Sequence, residues 1–246
     1  MTLNNLFTQL QKDEANYIPH LSIDCVIFGF HAEQLKVLLP KLKFLEEWTL
    51  AGGYVLKDED IDTAALRILE ERTGLKDIYL EQFQVFGKAN RTTRDTMKKI
   101  STVNKLEIDE SHWIFQRFIS IGYYALVDFS KVVTKIGGFD ESCEWYDIRH
   151  LPTLAFDHAE IIKKALETLR FMLDTKLIGF NLLPETFTMK ELQCLYETIL
   201  DKPLRRDNFQ RKMLSMDILE RTEKKFTGAA NKAPYLYRFK KVSEKE

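Results

Sequence analysis

The sequence predicts an α/β body followed by a smaller domain that combines helices with a β-hairpin. Apolar segments of strand length, rich in β-branched and aromatic residues, recur through the first two thirds of the chain. Two amphipathic helical patterns lie among them, which predicts a mixed sheet flanked by helices. Beyond residue 187, two helical patterns precede two short strand patterns. The predicted strands of the body are 21–30, 35–39, 78–86, 117–127 and 144–148, and its predicted helices follow residues 62 and 157.

The composition is that of an ordinary globular protein, with 45% hydrophobic residues and a formal net charge of −1. Residues 181–246 carry an excess of Lys and Arg, whereas residues 1–180 carry an excess of Asp and Glu, which indicates an acidic body with a basic appendage. The three cysteines, Cys25, Cys143 and Cys194, are too widely spaced to predict a disulfide framework or a zinc site. With neither an apolar signal core nor a run of membrane-spanning length, we expect a cytoplasmic protein.

Residues 52–75 are the most informative segment, because they combine a glycine turn, an acidic loop and a helix. Asp62 or Thr63 is expected to cap the start of this helix, and Gly74 is placed to end it in a left-handed conformation. The segment resembles a Nudix box, the signature of enzymes that hydrolyse pyrophosphate bonds, and the resemblance implies an α/β/α sandwich. The positions in register with the signature are Gly53, Glu59, Arg67, Leu69, Glu71, Gly74 and Leu75.

Two positions depart from the signature, and both departures remove metal-binding chemistry. In the Nudix family, helix carboxylates on one face hold a divalent metal against a diphosphate, and hard cations such as Mg²⁺ need oxygen ligands. Ile68 and Arg72 stand where two of these glutamates are expected. Because isoleucine has no lone pair and a guanidinium repels a cation, we expect no metal, no cofactor and no catalysis. The alternative is an active Mg²⁺-dependent phosphohydrolase that uses Glu59, Glu70 or Glu71.

The C-terminal segment has the layout of a winged helix-turn-helix. Thr188 and Glu191 form a capping box before one helix, and a tight connector leads to a basic helix at 205–214. Strand patterns at 218–222 and 235–239 flank a basic loop. In this motif the second helix enters the major groove, so we expect DNA binding rather than a basic face that binds protein. The candidate DNA-binding residues are Arg205, Arg206, Asn208, Arg211, Lys212, Lys224, Lys225 and Lys232, and the residues expected to face inward are Phe209, Met213 and Leu214.

Together these segments resemble the Nudix-related transcriptional regulators, in which a noncatalytic Nudix domain senses a ligand and a winged helix binds operator DNA. We divide the chain into a lead-in at 1–17, an effector-sensing Nudix domain at 18–176 and a winged-helix domain at 177–246. The resemblance implies a homodimer on a near-palindromic operator. A third interpretation is a metabolite-binding adaptor whose basic tail meets protein. The segments that carry the resemblance are 23–25, 117–126, 156–158, 179–184, 187–200 and 208–212.

The effector implied by this resemblance is ADP-ribose, a related nucleotide or a sugar such as L-arabinose, with a sugar slightly favoured. Residues 88–112 are polar and charged, so we expect a surface excursion here, although a lid over the ligand is the alternative. For Trp48, which precedes the box, a position in the core and a position in the ligand pocket are equally supported. The candidate effector-binding residues are Asp24, Lys43, Trp48, Glu71 and Arg117.

Overall fold

The structure, a computed structural model, describes residues 3–76, 78–89, 91, 94–105, 108–109, 111–134, 136, 139–173, 182–225 and 233–240. None of the helices within these ranges is both long and apolar enough to cross a membrane. The predicted division near residue 176 and the predicted wing residue Lys232 lie outside the described residues.

A six-stranded mixed sheet forms the body. Its strands are β1 (Tyr17–His31), β2 (Gln34–Leu42), β3 (Ala51–Leu56), β4 (Tyr79–Phe86), β5 (Ile119–Val127) and β6 (Asp140–Asp147). They are ordered β4-β5-β1-β2-β6, and β3 pairs with β1 beside this path. The two central strands, β1 and β5, run parallel in unbroken register from Leu21 opposite Ile119 to Gly29 opposite Val127, whereas the other pairs are antiparallel.

Alternation along β1 divides the core into two layers. Ile23 and Ile27 pack with helix α2 (Ile61–Thr73) on one face of the sheet. Val26 and Phe28 pack with helix α4 (His158–Met172) on the other, because successive strand side chains point to opposite faces. This α/β/α sandwich confirms the fold expected for the body.

The box helix ends as predicted and begins slightly earlier. Gly74 has a φ of 70° and donates its backbone N–H to the Glu70 carbonyl, the left-handed end that glycine adopts without strain. The residue before the first helical turn is Asp60 rather than Asp62 or Thr63, and its side chain makes no capping bond. Asp62 instead accepts a hydrogen bond from the Tyr123 hydroxyl.

The excursion at 88–112 is not the solvated loop that we favoured. It contains helix α3 (Arg94–Val103), and the buried side chains of Met97 and Ile100 lie one turn apart on it. A 3₁₀ turn at Trp113–Phe115 follows, with all its side chains buried. These residues pack with Phe7 of helix α1 (Leu3–Asp13) in a third apolar cluster. The many charged residues of the segment concealed this anchoring face in the sequence.

The C-terminal domain is the predicted winged helix-turn-helix. Helix α5 (Met189–Leu200) opens with the predicted capping box, in which Thr188 and Glu191 bond each other's backbone N–H, and α6 (Arg206–Ser215) follows. The strands of the domain are β7 (Phe187–Thr188), β8 (Leu219–Lys224) and β9 (Tyr235–Phe239), and they form a sheet in the order β7-β9-β8. Buried residues of α5 join the same core cluster as those of α4.

Candidate effector cavity and nucleic-acid interface

A cavity of about 250 Å³ lies between β1, β3 and the cap formed by α1 and α3. Aromatic rings from several elements make up much of its wall, and charged side chains from β1, α2 and the 88–112 segment enter it. Gly52 allows the backbone to approach here, because a Cβ at this position would lie 3.0 Å from Asp24 Oδ1. The lining residues used below are Phe7, Asp24, Tyr54, Arg72, Arg91, Phe118, Asp140 and His158.

Arg91 connects three elements at this cavity. Its guanidinium donates to Asp157 at 2.6 and 3.0 Å, to Asp24 at 3.3 Å and to the Phe118 carbonyl at 3.1 Å. Asp24 also accepts from the Ser120 hydroxyl at 2.5 Å. Burial alone disfavours the charge on Arg91, but the carboxylates of Asp157 and Asp24 outweigh burial and raise its pKa. The guanidinium thus holds the 88–112 segment against β1 and the start of α4.

His158 is a buried neutral imidazole beside this cluster. Its Nδ1 accepts the backbone N–H of Leu50 at 3.0 Å, so the ring proton lies on Nε2, which faces Asp24 Oδ1 at 3.7 Å. Burial lowers the pKa of His158, because a charged imidazole loses its hydration there. The histidine therefore supplies the cavity with a donor and no charge.

The two residues that depart from the Nudix signature lie inside the fold. Ile68 is 1% exposed in the core, where its Cδ1 would be 2.9 Å from a Cβ at Gly53. Arg72 forms an ion pair with the fully buried Asp140, and its Nε finds no hydrogen-bond partner among the described residues. The guanidinium of Arg72 and the apolar side chain of Ile68 thus occupy the side of α2 that faces the body.

Among the carboxylates that remain in the box, Glu59 and Glu71 pair with Arg67, whereas Glu70 lies 3.4 Å from the Lys76 ammonium. Arg67 donates to both oxygens of Glu59, at 2.5 and 3.0 Å, and this bond lowers the pKa of Glu59. The Glu71 carboxylate lies 3.5 Å from Arg67 and is 57% exposed. Within the described ranges, no three His, Cys, Asp or Glu side chains are placed to hold a metal ion. The residues present do not fit the Mg²⁺ that a Nudix enzyme requires.

Of the five candidate effector residues, the cavity lining contains Asp24 but not the other four. Lys43, Glu71 and Arg117 are all exposed. Trp48 is half-buried and packs edge-on against Tyr146. The sequence did not indicate that Arg72, Arg91 and His158 line this cavity.

Helix α6, the predicted DNA-binding helix, presents the predicted polar residues outward. Phe209 and Met213 are buried, and the Phe209 ring lies edge-on to Tyr196 of α5 at 5.2 Å. The prediction that Leu214 faces inward is wrong, because this side chain is 42% exposed. The residues on the exposed surface of α6 and its first turn are Arg205, Arg206, Asn208, Arg211 and Lys212.

Two of the predicted wing lysines are described, and both have intramolecular partners. The Lys224 ammonium lies 5.4 Å from the Tyr235 ring, over which Arg221 also stacks at 4.3 Å. The Lys225 ammonium lies 3.0 Å from Glu191, the capping-box residue of α5. The wing therefore carries a basic surface whose position is tied to the start of α5.

Comparison with known proteins assigns both domains. Residues 18–168 match the NUDIX domain model and residues 179–239 match the NrtR DNA-binding winged helix domain model. The chain is 30% identical over 229 residues to an ADPR responsive transcriptional repressor NtrR of Acinetobacter baylyi, an alignment that covers 90% of this chain and 82% of the repressor.

A solved structure also matches both domains, and an enzyme matches a shorter part of the chain by sequence. Shewanella oneidensis NrtR complexed with a 27mer DNA superposes with a TM-score of 0.69 and 28% identity, over 89% of this chain and 93% of that one. An ADP-ribose pyrophosphatase of Methanocaldococcus jannaschii is 27% identical over 156 residues, which is 62% of this chain and 79% of that enzyme. The match that spans both domains is decisive, and the chain belongs to the NrtR family of Nudix-related transcriptional regulators.

Proposed function

We propose that this protein is a transcriptional repressor that binds operator DNA through α6 and releases it when a small molecule occupies the cavity of the Nudix domain. The observation that carries the proposal is the exposed basic surface of α6 on a winged helix-turn-helix. It is supported by similarity to a chain solved on DNA and to a named repressor. Such a repressor works where the chromosome is, in the cytoplasm.

On DNA, the residues of α6 have different roles. Arg206, Asn208 and Arg211 lie within the first two turns, where side chains of a recognition helix reach base edges. Arg211 donates to the Asn208 side chain at 2.8 Å, so these two side chains reach the groove as one oriented unit. Lys212 and the wing lysine Lys224 are proposed to contact phosphate, which supplies affinity without sequence preference.

The effector is proposed to bind beside Arg91, Arg72 and Asp24. ADP-ribose is one candidate, because a relative of this chain is named as ADPR responsive. A sugar such as L-arabinose is the second, and two observations favour it. In the state that this structure shows, both guanidiniums are held by carboxylates, so a diphosphate that enters the cavity meets no uncompensated positive charge. The cavity volume of about 250 Å³ is below the range of about 300–1,000 Å³ typical for drug-sized ligands.

The Nudix domain is proposed to have no hydrolase activity, because Ile68 and Arg72 offer no oxygen ligand and Arg67 engages Glu59. Incubation of the purified protein with ADP-ribose and Mg²⁺ tests this directly. We expect no turnover. Mg²⁺-dependent cleavage that Glu71→Gln abolishes would establish the phosphohydrolase alternative instead.

DNA binding is tested by mobility shift with the region upstream of the protein's own gene over a salt titration. The repressor proposal expects tight binding that weakens steeply with salt, since phosphate contacts release counterions, and a stoichiometry of two chains per operator. Thermal shift with ADP-ribose and with L-arabinose then separates the two effectors, because the one that binds raises the melting temperature. A protein that binds this DNA no better than an unrelated fragment contradicts the repressor proposal and favours the protein-binding adaptor.

A further inference from the structure

Helix α4 extends from the cavity to the DNA-binding domain, and each end makes a specific polar contact. At its start, Asp157 holds Arg91 and His158 holds the Leu50 backbone. At its end, Arg170 donates to the Ile199 carbonyl of α5 at 2.7 Å. A helix of 15 residues is about 22 Å long, so these contacts lie at opposite ends of one rigid element.

Arg91 restrains the end of α4 that lies at the cavity, and its side chain is 12% exposed. Its bonds to Asp157 and Asp24 fasten the first turn of α4 to β1, the central strand of the sheet. A ligand that bonds to Asp24 or to the guanidinium competes with these contacts, since both groups line the cavity. Occupancy of the cavity therefore acts directly on the restraint that holds the start of α4.

The other end of α4 meets α5, the helix that supports recognition helix α6. Besides the Arg170 contact, the Tyr196 hydroxyl of α5 lies 3.4 Å from the Leu173 carbonyl, just beyond the last turn of α4. The Tyr196 ring also packs against Phe209 of α6. Leu169 and Leu195 are fully buried in the shared core, so a displacement of α4 is passed to α5 through close-packed side chains.

We propose that Arg91 is a positioning residue that couples the cavity to the DNA-binding domain through α4, with Arg170 as the second fastening point. The inference rests on the proposed function, because it names how effector occupancy alters DNA affinity. Loss of the Arg91 contacts frees the start of α4, and Arg170 converts the resulting shift into a displacement of α5 and α6. The effector acts by binding more tightly to the state in which Arg91 is released.

A double-mutant cycle between Arg91→Met and Arg170→Met tests the coupling without a ligand. The readout is the Kd for the upstream DNA at one fixed salt concentration. Lys88→Met is the matched control, because Lys88 pairs with Glu160 in the same first turn of α4, but both side chains are substantially exposed. It removes the same charge without releasing a buried restraint. Arg91→Lys and Asp157→Asn are conservative variants, and circular dichroism confirms that each protein is folded.

Arg91→Met is expected to weaken DNA binding about fivefold or more, the lower end of typical allosteric coupling, and Asp157→Asn is expected to do the same. Lys88→Met is expected to stay within about twofold, and Arg91→Lys to restore part of the affinity. In the Arg170→Met background, Arg91→Met is expected to have little further effect. An unchanged Kd in Arg91→Met would overturn the coupling. A double variant whose change in Kd equals the product of the two single changes, within about twofold, would overturn it as well, because independent distant sites behave that way.

Hydrogen exchange of the free protein separates this inference from the repressor proposal. If the coupling is real, Arg91→Met speeds amide exchange in the last turn of α5, around Ile199, several-fold, and Lys88→Met does not. This result supports the coupling even for a protein that fails to shift the upstream DNA. Wild-type exchange in α5 of a folded Arg91→Met protein overturns the coupling, while DNA binding by the wild type still supports the repressor proposal.

Discussion

Replacing Asp140 by Asn removes one charge of the ion pair between Arg72 and Asp140. Asp140 is fully buried, and the side chain of Arg72 is 16% exposed. Breaking a buried pair from one side costs about 3–5 kcal/mol. The partial exposure of Arg72 lets its charge regain some hydration, so Asp140→Asn is expected to lower the free energy of unfolding by about 3 kcal/mol, the lower end of that range.

The reverse substitution is expected to be worse. Arg72→Leu leaves a carboxylate with no exposure opposite an apolar side chain, and we expect a loss of about 4–5 kcal/mol. The double variant, Arg72→Leu with Asp140→Asn, removes both charges and is expected to recover most of the stability, to within about 2 kcal/mol of the wild type.

Urea unfolding followed by fluorescence and circular dichroism measures all four proteins at pH 7.5. The cycle gives the interaction energy of the pair as the difference between the double variant and the sum of the single variants. Single losses below about 1 kcal/mol, the range of exposed pairs, would refute the argument that this pair is buried and structural. A double variant as unstable as the sum of the two single variants would refute it equally.

Three further outcomes are expected. Arg206→Ala and Arg211→Ala are each expected to weaken operator binding by about 1–3 kcal/mol and to relax base preference at one position, as measured by mobility shift on single-base operator variants; uniform weakening on every sequence would reassign the residue to phosphate. Because burial lowers the pKa of His158, the unfolded chain binds a proton at this residue that the native chain does not, so stability is expected to fall as the pH falls below about 6.5. Urea unfolding at pH 7.5 and 5.5 is expected to show a smaller loss of stability for His158→Gln than for the wild type. An equal loss in both proteins would contradict this expectation. Thr188→Ala is expected to cost about 1 kcal/mol by removing the cap of α5, and a melting temperature equal to that of the wild type would show that the cap contributes nothing.

Local patterns in the sequence were sufficient to predict much of this fold. Gly74 ends α2, and Thr188 with Glu191 starts α5, because these signals depend on neighbouring residues alone. The helical spacing of Phe209 and Met213 correctly placed the buried side of α6. The alternation that divides β1 between two core layers is likewise a property of consecutive residues.

The cavity was harder to predict because its contacts join residues distant in sequence. Arg91 meets Asp157 across 66 residues and Asp24 across 67, and its polar neighbours favoured a solvated surface. Arg72 was recognised only as a lost metal ligand, since the pair with Asp140 joins residues 68 positions apart. The lead-in at 1–17 was open to interpretation as a helix packed on the body or on a partner, but its polar sequence did not place Phe7 at the cavity wall.

The contact between Lys225 and Glu191 has a consequence for how DNA affinity responds to ionic strength. Both side chains are almost half exposed, at 45% and 43%, so dissolved ions screen their attraction. The carboxylate of Glu191 also bonds the Thr188 backbone at the start of α5. Added salt therefore loosens the anchorage of the wing while it displaces the protein from phosphate. The logarithmic slope of affinity against salt then includes an intramolecular contribution, and the number of neutralised phosphates read from it is an upper bound.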